Sequence, residues 1–398
     1  MTTGKALNGK PYAGNPHVRF DEGEVASAAM PRRGSLLYKE KAKQGKPHAG
    51  SRTVSRRAFI ALGAVATVGV AAAQTKVVKG RMKKNDPDPA HDVAAVTDEE
   101  FDGAIRQIEA TGMYDDAKRL PALRVVQCAI DRMSTSRAFL PCLHSQTPQK
   151  RIDAIHAAFP VMRWYDRAFD RVFDQFTSTK VTGDTPAIWY LYNMGVLVKT
   201  KSCAFGIDVF HRQDMRLVEH LDFLLVTHNH GDHHDPRMLN AMRAADKPVI
   251  SNFYLCKRWY CREFDKTFKF RDVTIHAVAA DHQTWLPWAV TTFEVVCGDG
   301  PDAFTIFHSG DCNRHDHLKP KGKPDIFMGH CAIGLDFLKA ARETMPAKLF
   351  LTLHHQELGH IPGQYRCVAF EDEPLQRVRG LREAGFKAAM PVWGDRIV

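Results

Sequence analysis

The spacing of apolar residues along the chain changes near residue 180. Between residues 97 and 180, apolar side chains recur every three or four positions, which is the helical period. Thr97 and Glu100 match a capping box at the start of the first helix. Because Pro160 interrupts the pattern, we expect a kink at that residue. The pattern therefore predicts a helical region over residues 97–180.

From residue 181 onward, short apolar runs alternate with turn residues and amphipathic stretches. Runs of this kind, bounded by polar or turn residues, are typical of buried strands. Strands with helices between them indicate an α/β layered domain over residues 181–398. The predicted strands are Ile188–Lys199 with a break at Asn193, Cys203–Ile207, Leu221–Val226, Val249-Ile250, Val273–Val278, Phe293–Val296, Thr305–Phe307, Ile326-Phe327 and Leu349–Leu353.

The first 96 residues carry little apolar periodicity. Residues 1–54 are polar and basic, so we expect a disordered N-terminal extension, and Met30 is an alternative start of translation. Residues 74–96 hold two prolines among charged residues and are expected to form a linker. Neither segment is predicted to contribute to the core.

Residues 55–73, between these two segments, resemble a twin-arginine export signal. The pair Arg56-Arg57 precedes an uncharged run that ends in Ala71-Ala72-Ala73. The run is shorter than the roughly 20 strongly apolar residues of a spanning helix. We therefore expect the twin-arginine export machinery to be a partner and the protein to be periplasmic. An uncleaved membrane anchor through residues 58–73 and a cytoplasmic protein are the alternatives.

The positive charge of the chain is concentrated near its N-terminus. Residues 1–57 hold 12 Lys and Arg against 4 Asp and Glu, and residues 74–85 add five basic residues and no acid. Residues 86–398 hold 38 basic against 41 acidic residues, so the predicted folded part is slightly acidic. A groove for a phosphate backbone needs the opposite balance. We therefore expect no nucleic acid as a partner.

The nine cysteines are scattered, and none of them forms a CxxC pair. This spacing excludes a zinc ribbon and a CxxC redox site. Buried thiols are the simplest interpretation, and one or two disulfides remain an alternative if the protein is exported.

The strand predicted at Leu221–Val226 leads directly into a run of metal-binding residue types. Imidazoles and carboxylates are the ligands expected for Zn²⁺, Mn²⁺ or Fe²⁺. Four such side chains at the end of one buried strand can face a single cavity, and Gly231 among them is expected to allow a sharp turn. This motif run is His228-Asn229-His230-Gly231-Asp232-His233.

The motif run resembles the HxHxDH signature of the metallo-β-lactamase superfamily. Further landmarks of that superfamily follow in the expected order over residues 186–398. They are Asp208 at the end of a strand, His282 and Asp311 after later strands, and His354 after the last one. The resemblance implies a four-layer αββα sandwich, here preceded by the helical region.

The resemblance also implies two metal-binding sets that share one carboxylate. His355 is an alternative to His354, and His276 is a weaker alternative to His282. Asp208 would orient the loop. The first set is His228, His230 and His282, the second is Asp232, His233 and His354, and Asp311 would bridge the two ions.

A dinuclear centre of this kind implies hydrolysis by a hydroxide shared between two divalent ions, zinc first, with manganese or iron as alternatives. Asp232 and Asp311 are the predicted catalytic carboxylates. Cys312, next to Asp311, is the alternative ligand at that position, as in some true β-lactamases. Trp285 and His330 are the predicted substrate-binding residues.

An aspartate at position 311 is typical of lactonases and phosphodiesterases rather than true β-lactamases. The motif run and the segment after His282 are most similar to the ascorbate-6-phosphate lactonase and N-acyl-phosphatidylethanolamine phospholipase D group. We therefore expect a small-molecule or lipid substrate with an ester, lactone or phosphodiester bond. A nuclease of the same fold and a non-catalytic, metal-bound periplasmic binding protein are the alternatives.

Overall fold

The computed structural model describes residues 96–133, 136–254, 258–261, 265–282, 286–360 and 370–398. The extension, the export segment and all but the last residue of the predicted linker lie outside the described residues. None of the described helices is long and apolar enough to span a membrane.

Among the described residues, four α-helices precede the first strand. The Thr97 hydroxyl accepts a hydrogen bond from the Glu100 backbone N–H and the Glu100 carboxylate bonds the Thr97 N–H, so the capping box is confirmed. The predicted kink at Pro160 is wrong. Pro160 is instead the first residue of a new helix, which follows a break at Phe159. The helices are α1 (Asp98–Glu109), α2 (Asp116–Met133), α3 (Gln149–Ala158) and α4 (Pro160–Ser178).

Helix α4 joins this helical part to the strands. Its buried face carries aromatic residues: Trp164 stacks on Trp393 with ring centroids 4.5 Å apart, and Phe176 meets the edge of Trp189. Lys199 donates to the Phe176 carbonyl at the end of the helix. Aromatic pairs of this kind bury large apolar areas and fix the helix against its partner. The helical part therefore shares a core with the first strands.

The first sheet, sheet A, has five strands in the order β1-β2-β3-β4-β5. β1 to β3 are antiparallel neighbours, whereas β3, β4 and β5 run parallel. The helix α5 (Pro236–Ala244), capped by Asp235, follows β4 and contacts β5. The strands are β1 (Ala187–Tyr190), β2 (Val196–Lys199), β3 (Ala204–Ile207), β4 (Phe223–Val226) and β5 (Val249–Ser251).

The second sheet, sheet B, has seven strands in the order β12-β11-β10-β9-β8-β7-β6. The successive strands β6, β7, β8 and β9 pair antiparallel, and the successive strands β9, β10, β11 and β12 pair parallel. The helix α7 (Glu373–Glu383) contacts β11 and β12, and α6 (Phe337–Glu343) contacts α7. The strands are β6 (Lys266–Phe270), β7 (Val273–Ala280), β8 (Val290–Cys297), β9 (Phe304–His308), β10 (Ile326–His330), β11 (Leu349–Leu353) and β12 (Ala388–Ala389).

The described chain is thus a mixed α/β structure with two sheets. Every strand predicted from the apolar runs is present, and the break at Asn193 is the turn between β1 and β2. Two strands, β6 and β12, were not predicted. β6 alternates exposed and buried residues, and β12 is only two residues long, so neither produces a long apolar run. The four-layer order of helices and sheets stays a prediction.

Candidate metal centre

The motif run follows β4, whose four residues are all buried. β4 lies between β3 and β5 in the parallel part of sheet A, so its carboxyl end is fixed on both sides. Gly231 is not required for the turn, contrary to the prediction: its φ is not positive, and a Cβ there would meet nothing within 4 Å.

Asp208, at the end of β3, holds this loop through hydrogen bonds. Its carboxylate accepts from the Thr227 N–H at 2.8 Å and the Thr227 hydroxyl at 2.7 Å, and lies 2.9 Å from His233 Nδ1. Because Thr227 gives its proton to Asp208, its oxygen can accept one from His228 Nδ1, 2.9 Å away. Both His228 and His233 then carry the proton on Nδ1 and keep the Nε2 lone pair for a metal.

The first predicted set of ligands meets around Asp311. His228, His230, His282 and Asp311 each offer a ligand atom, and these atoms all lie within 4.8 Å of one another. His228 Nε2 lies 2.9 Å from His230 Nδ1 and 3.6 Å from Asp311 Oδ2, and His282 Nε2 lies 3.4 Å from the same oxygen. The structure therefore brings this set to one point from both sheets.

The second predicted set lies beside the first. Asp232, His233 and His354 also converge within 4.8 Å. Asp232 Oδ2 is 3.0 Å from His354 Nε2 and 3.4 Å from His233 Nε2. Asp311 Oδ1 is 3.3 Å from His233 Nε2, whereas Asp311 Oδ2 faces the first set. Asp311 Oδ2 also lies 3.9 Å from His354 Nε2, so this one carboxylate lies beside ligand atoms of both sets.

Several atoms at this point are buried without a hydrogen bond. Within the described residues, both ring nitrogens of His282, His233 Nε2 and Asp311 Oδ1 have no such partner. An unsatisfied buried polar atom costs about 1–3 kcal/mol. Two divalent ions would bind His233 Nε2, Asp311 Oδ1 and one ring nitrogen of His282 as ligands and remove that cost for these atoms. The donor set, imidazole nitrogens and carboxylate oxygens in two adjoining groups, therefore fits a pair of transition-metal ions.

The charges of the protein's own groups also favour a cation here. Burial lowers the pKa of His233, but Asp311, Asp232 and Asp208 raise it more strongly, to well above its ordinary value. Burial, followed by the neighbouring His233, holds the pKa of His228 well below its ordinary value. Three carboxylates around one imidazole favour positive charge, and a neutral His228 is in the form that binds metals.

The structure separates the predicted ligands His354 and His282 from their alternatives, which are His355 and His276 respectively. His354 faces Asp232, whereas His355 donates from Nε2 to the Pro391 carbonyl at 2.7 Å. His276 lies within β7 and contacts Thr267 across the strand pair at 2.9 Å. Of His354, His355 and His276, His354 alone faces the two ligand sets. Its φ of +58° turns the chain at the end of β11.

His330, at the end of β10, lies against His354 of the second set. Its ring stacks on His354 at 3.9 Å, and its Nε2 lies 3.8 Å from Asp311 Oδ2. The Ala332 N–H donates to His330 Nδ1 at 3.0 Å, so a neutral His330 carries its proton on Nε2. That proton points into the centre. His330, Asp311 and His354 also offer three ligand atoms within 4.8 Å of one another, so the position of His330 fits both a hydrogen-bond donor and a ligand.

Two residues beside the centre have roles that the sequence did not predict. Asn193, with φ of +51°, accepts from the His354 N–H through its carbonyl at 2.9 Å, and its side-chain amide lies 3.4 Å from Asp232 Oδ2. Gly310, with φ of +51°, packs so closely that a Cβ would lie 2.8 Å from Thr227 Cβ. An isolated Asn in an apolar run and a Gly before Asp311 were the only signals.

The aromatic residues after His282 are only partly described. Trp285 lies outside the described residues, so its predicted place at the substrate is not described. Trp288 is 43% exposed, stacks on His317 with centroids 5.3 Å apart, and donates its backbone N–H to Asp281. Cys312, the alternative ligand, is buried, and its thiol donates to the Arg314 carbonyl at 3.4 Å instead.

No protein-family model matches the chain, and no curated protein matches it in sequence. Solved structures do resemble it. Igni18, a metallo hydrolase from Ignicoccus hospitalis, is 16% identical with a TM-score of 0.41, over 54% of this chain and 98% of that one. CmlA, a diiron β-hydroxylase from Streptomyces venezuelae, is 12% identical with a TM-score of 0.39, over 61% and 59%.

BJP-1, a subclass B3 metallo-β-lactamase of Bradyrhizobium japonicum, is 12% identical with a TM-score of 0.25, over 53% of this chain and 95% of that one. These three proteins differ in the reactions named for them, and all three likenesses are weak. The function of this chain is therefore inferred from the arrangement of its own side chains.

Proposed function

We propose that the protein is a metal-dependent hydrolase with two divalent ions in the centre around Asp311. The observation that carries this proposal is the position of Asp311, whose carboxylate lies beside ligand atoms of both sets. Seven ligand side chains in two sets meet the needs of a dinuclear site. The same proposal includes the four-layer αββα arrangement of the superfamily that the motif run resembles.

When bound, such ions supply a water molecule of lowered pKa and stabilise negative charge on the substrate. The chain's own residues do the rest. Asp208 fixes the tautomers of His228 and His233. The Asp232 carboxylate, held by Asn193 and His354, is placed to orient the attacking water, and Asp311 joins the two sets. No nucleophilic side chain is needed.

His330 adds a hydrogen-bond donor on the same side of the centre. Its Nε2–H, fixed by the Ala332 N–H, lies 3.8 Å from Asp311 Oδ2, and we propose that it donates to a substrate oxygen that develops negative charge. A donor that is fixed before the reaction stabilises such an oxyanion without rearrangement. This arrangement supports attack on a carbonyl or phosphoryl group rather than metal storage alone.

We propose an ester, lactone or phosphodiester of a small molecule or lipid as the substrate. The carbonyl and phosphoryl classes share the developing oxyanion that His330 would meet. The exposed Trp288, close in sequence to His282, offers an apolar surface for a lipid or an acyl chain. The slight excess of acidic residues over 86–398 argues against the nuclease alternative.

The test combines metal analysis with an activity screen. The purified protein, reconstituted with Zn²⁺, Mn²⁺ or Fe²⁺, should bind at least two ions per chain and hydrolyse one of three substrate classes: lactones, carboxylic esters or phosphodiesters. His230→Ala should lose bound metal and turnover together. Absence of metal after reconstitution would overturn the proposal, and cleavage of nucleic acid alone would favour the nuclease.

A non-catalytic binding protein makes a different prediction. It would bind the same ions but show no turnover on any of the three classes with any of the three metals. The two readouts, metal content and hydrolysis, therefore separate it from the enzyme.

We also propose export through the twin-arginine machinery, supported by Arg56-Arg57 and the uncharged run after it. The receptor of that route reads the guanidinium pair, which lysine does not reproduce. Changing both arginines to lysine should keep the protein in the cytoplasm, as measured by fractionation. Unchanged fractionation would show that the segment is not such a signal.

A further inference from the structure

A second group of metal-binding residue types lies in the helical part of the chain, outside the centre around Asp311. Cys142, His156 and Asp166 each offer one ligand atom, and the three atoms lie within 4.8 Å of one another. His156 Nε2 is 3.7 Å from Cys142 Sγ and 2.8 Å from Asp166 Oδ2. We call these three residues the Cys142 cluster.

Three different elements bring the Cys142 cluster together. Cys142 lies in the 3-10 turn Leu140–Leu143, His156 near the end of α3, and Asp166 on the buried face of α4. Cys142 is fully buried and Asp166 nearly so, whereas the His156 side chain is 23% exposed. The thiol and the carboxylate are therefore shielded from solvent, and solvent reaches the cluster beside His156.

The geometry does not suit a cysteine nucleophile. In a Cys–His–Asp relay the two ring nitrogens of the histidine face different partners. Here the same atom, His156 Nε2, faces both the thiol and the carboxylate. Burial, followed by the nearby Asp166, also raises the pKa of the Cys142 thiol to about 12, the opposite of an activated thiol. Three ligand atoms around one point is the arrangement of a bound ion.

The sulfur–nitrogen distance agrees with a tetrahedral site, whereas the 2.8 Å between His156 Nε2 and Asp166 Oδ2 is a hydrogen-bond length that ion binding would increase. Zinc binds sulfur at about 2.3 Å and nitrogen at about 2.0–2.1 Å, which separates the two ligand atoms by roughly 3.5 Å. The measured sulfur–nitrogen distance is 3.7 Å. The mixed set of one thiolate, one imidazole and one carboxylate is borderline in softness, which favours Zn²⁺ over Mg²⁺ or Ca²⁺. The exposed side next to His156 leaves room for water as a fourth ligand.

Three neighbours contact the Asp166 carboxylate besides His156. Arg212 Nε donates to both carboxylate oxygens at 2.8 and 2.9 Å, a terminal Arg212 nitrogen donates to Oδ2 at 2.5 Å, and Gln213 Nε2 donates to Oδ1 at 3.4 Å. His211 accepts from the Gln213 N–H at Nδ1, so its Nε2 carries the proton, 3.5 Å from Asp166 Oδ1. Outer partners of this kind orient a ligating carboxylate. Arg212 also balances part of the charge, since thiolate and carboxylate together carry two negative charges.

We propose that Cys142, His156 and Asp166 bind one further divalent transition-metal ion, with zinc preferred, separate from the dinuclear centre. This ion would join the 3-10 turn, α3 and α4. Through Arg212 and His211 it would also connect them to the segment that follows Asp208. Its expected role is to stabilise the packing of the helical part rather than to act in hydrolysis.

Cobalt substitution tests this site independently of activity. The Asp311 centre contains histidine and aspartate only, so a thiolate-to-cobalt charge-transfer band in the near ultraviolet reports the Cys142 cluster. The full chain loaded with Co²⁺ should show this band, and Cys142→Ser should abolish it. Cys312→Ser is the matched control, because Cys312 is equally buried and lies next to Asp311; the band should persist in that variant.

Metal content and stability give the second readout. With zinc, Cys142→Ser should bind one ion fewer per chain than the unchanged protein, while Cys312→Ser should bind the same number. Zinc should raise the melting temperature of Cys142→Ser less than that of Cys312→Ser. His156→Gln, which keeps the thiol, serves if Cys142→Ser does not fold, and should weaken the band. A band that is absent, or unchanged in Cys142→Ser and His156→Gln, would overturn the proposal.

Discussion

The two sheets supply the proposed dinuclear centre in different ways. Sheet A contributes four ligand candidates from one loop, the motif run after β4, and one acid beneath it, Asp208. Sheet B contributes single residues from separate strands: His282 after β7, Asp311 after β9, His330 on β10 and His354 after β11. Sheet A thus provides its ligands from one contiguous loop, whereas sheet B provides them from the ends of several strands.

The difference shows what each half depends on. The sheet A loop is held by hydrogen bonds from Thr227 and His233 to Asp208, which lies at the end of the neighbouring strand β3. The sheet B residues depend on the register of β9, β10 and β11, in which Met328 pairs with His308 and His330 with Leu353. Because carboxyl ends of parallel strands meet at one edge, these residues converge only in the folded sheet.

The largest effect is expected where the two halves meet, at Asp311. Asp311→Asn keeps the size of the side chain but removes a negative charge and one good oxygen ligand. Binding of the second ion should weaken more than that of the first, which keeps three imidazoles, and turnover should fall at least about 10²-fold. Metal analysis and steady-state kinetics measure both quantities.

Cys312→Ser is the matched control for this variant, since the Cys312 thiol is buried next to Asp311 but bonds the Arg314 carbonyl. Serine can make the same hydrogen bond, so metal content of the centre and turnover should stay unchanged. If Asp311→Asn were mild and Cys312→Ser severe, the thiol would be the ligand and the bridging assignment would be wrong.

The next test separates the two stacked histidines of sheet B. His354→Gln should lose an ion from the second set together with activity, because its Nε2 faces Asp232. His330→Gln should keep both ions of the centre and lower kcat by roughly 10²-fold, as expected when one donor to a developing oxyanion is removed. Loss of metal in His330→Gln would instead make His330 a ligand.

A smaller effect is expected at Asn193, which contacts Tyr190 and Asp232 on the sheet A side and His354 on the sheet B side. Asn193→Gly keeps the positive φ and the carbonyl that accepts from the His354 N–H, and removes only the amide beside Asp232. Loss of an outer partner of a metal ligand costs about 10–100-fold in metal affinity or activity. A titration of the weaker-bound ion measures this; unchanged affinity would show that the amide is not needed.

The smallest effect on the centre is expected at Asp214, in the turn between β3 and β4 of sheet A. Burial, followed by the nearby Asp235, raises the pKa of Asp214 to about 8, against the opposing effect of Arg237. The folded protein thus holds a proton that the unfolded chain releases near pH 4. The stability from this proton is complete below that pH and is lost as the pH rises through about 8.

Asp214→Asn should remove this dependence, which amounts to at most about 1.4 kcal/mol per pH unit in that window. The free energy of unfolding of the unchanged protein should fall more steeply between pH 5 and 8 than that of Asp214→Asn, in urea titrations. Turnover per bound metal should not change. An equal pH dependence of the free energy of unfolding in the two proteins would mean that the pKa of Asp214 is not raised.

The same contrast between the sheets explains which parts of the centre were predictable from the sequence. The motif run is contiguous, so its residues reveal the metal chemistry without a fold. Asp208, His282, Asp311 and His354 could be placed only by the resemblance in their order along the chain. The proton position on His330 could not be predicted, because it depends on an N–H two residues later that approaches only in the turn after β10.

Local patterns failed where the structure depends on pairing or close packing. Gly231 was expected to permit the turn, but Gly310 is the glycine that the centre requires, because it packs against Thr227 from the other sheet. The sequence favours His354 over His355 because His354 is the first residue after the strand, but the directions of the two adjacent side chains are seen only in the structure. The export segment over residues 55–73 stays a prediction.

The sequence by itself determined the helical and strand periods, the position of most strands and the presence of a metal-binding loop, because these properties arise from neighbours along the chain. Only the tertiary structure decided which single residues of sheet B complete the centre, and that Cys142, His156 and Asp166 meet. These side chains are far apart in sequence, and strand register and helix packing, which the apolar core fixes, bring their ligand atoms within bonding range of common points.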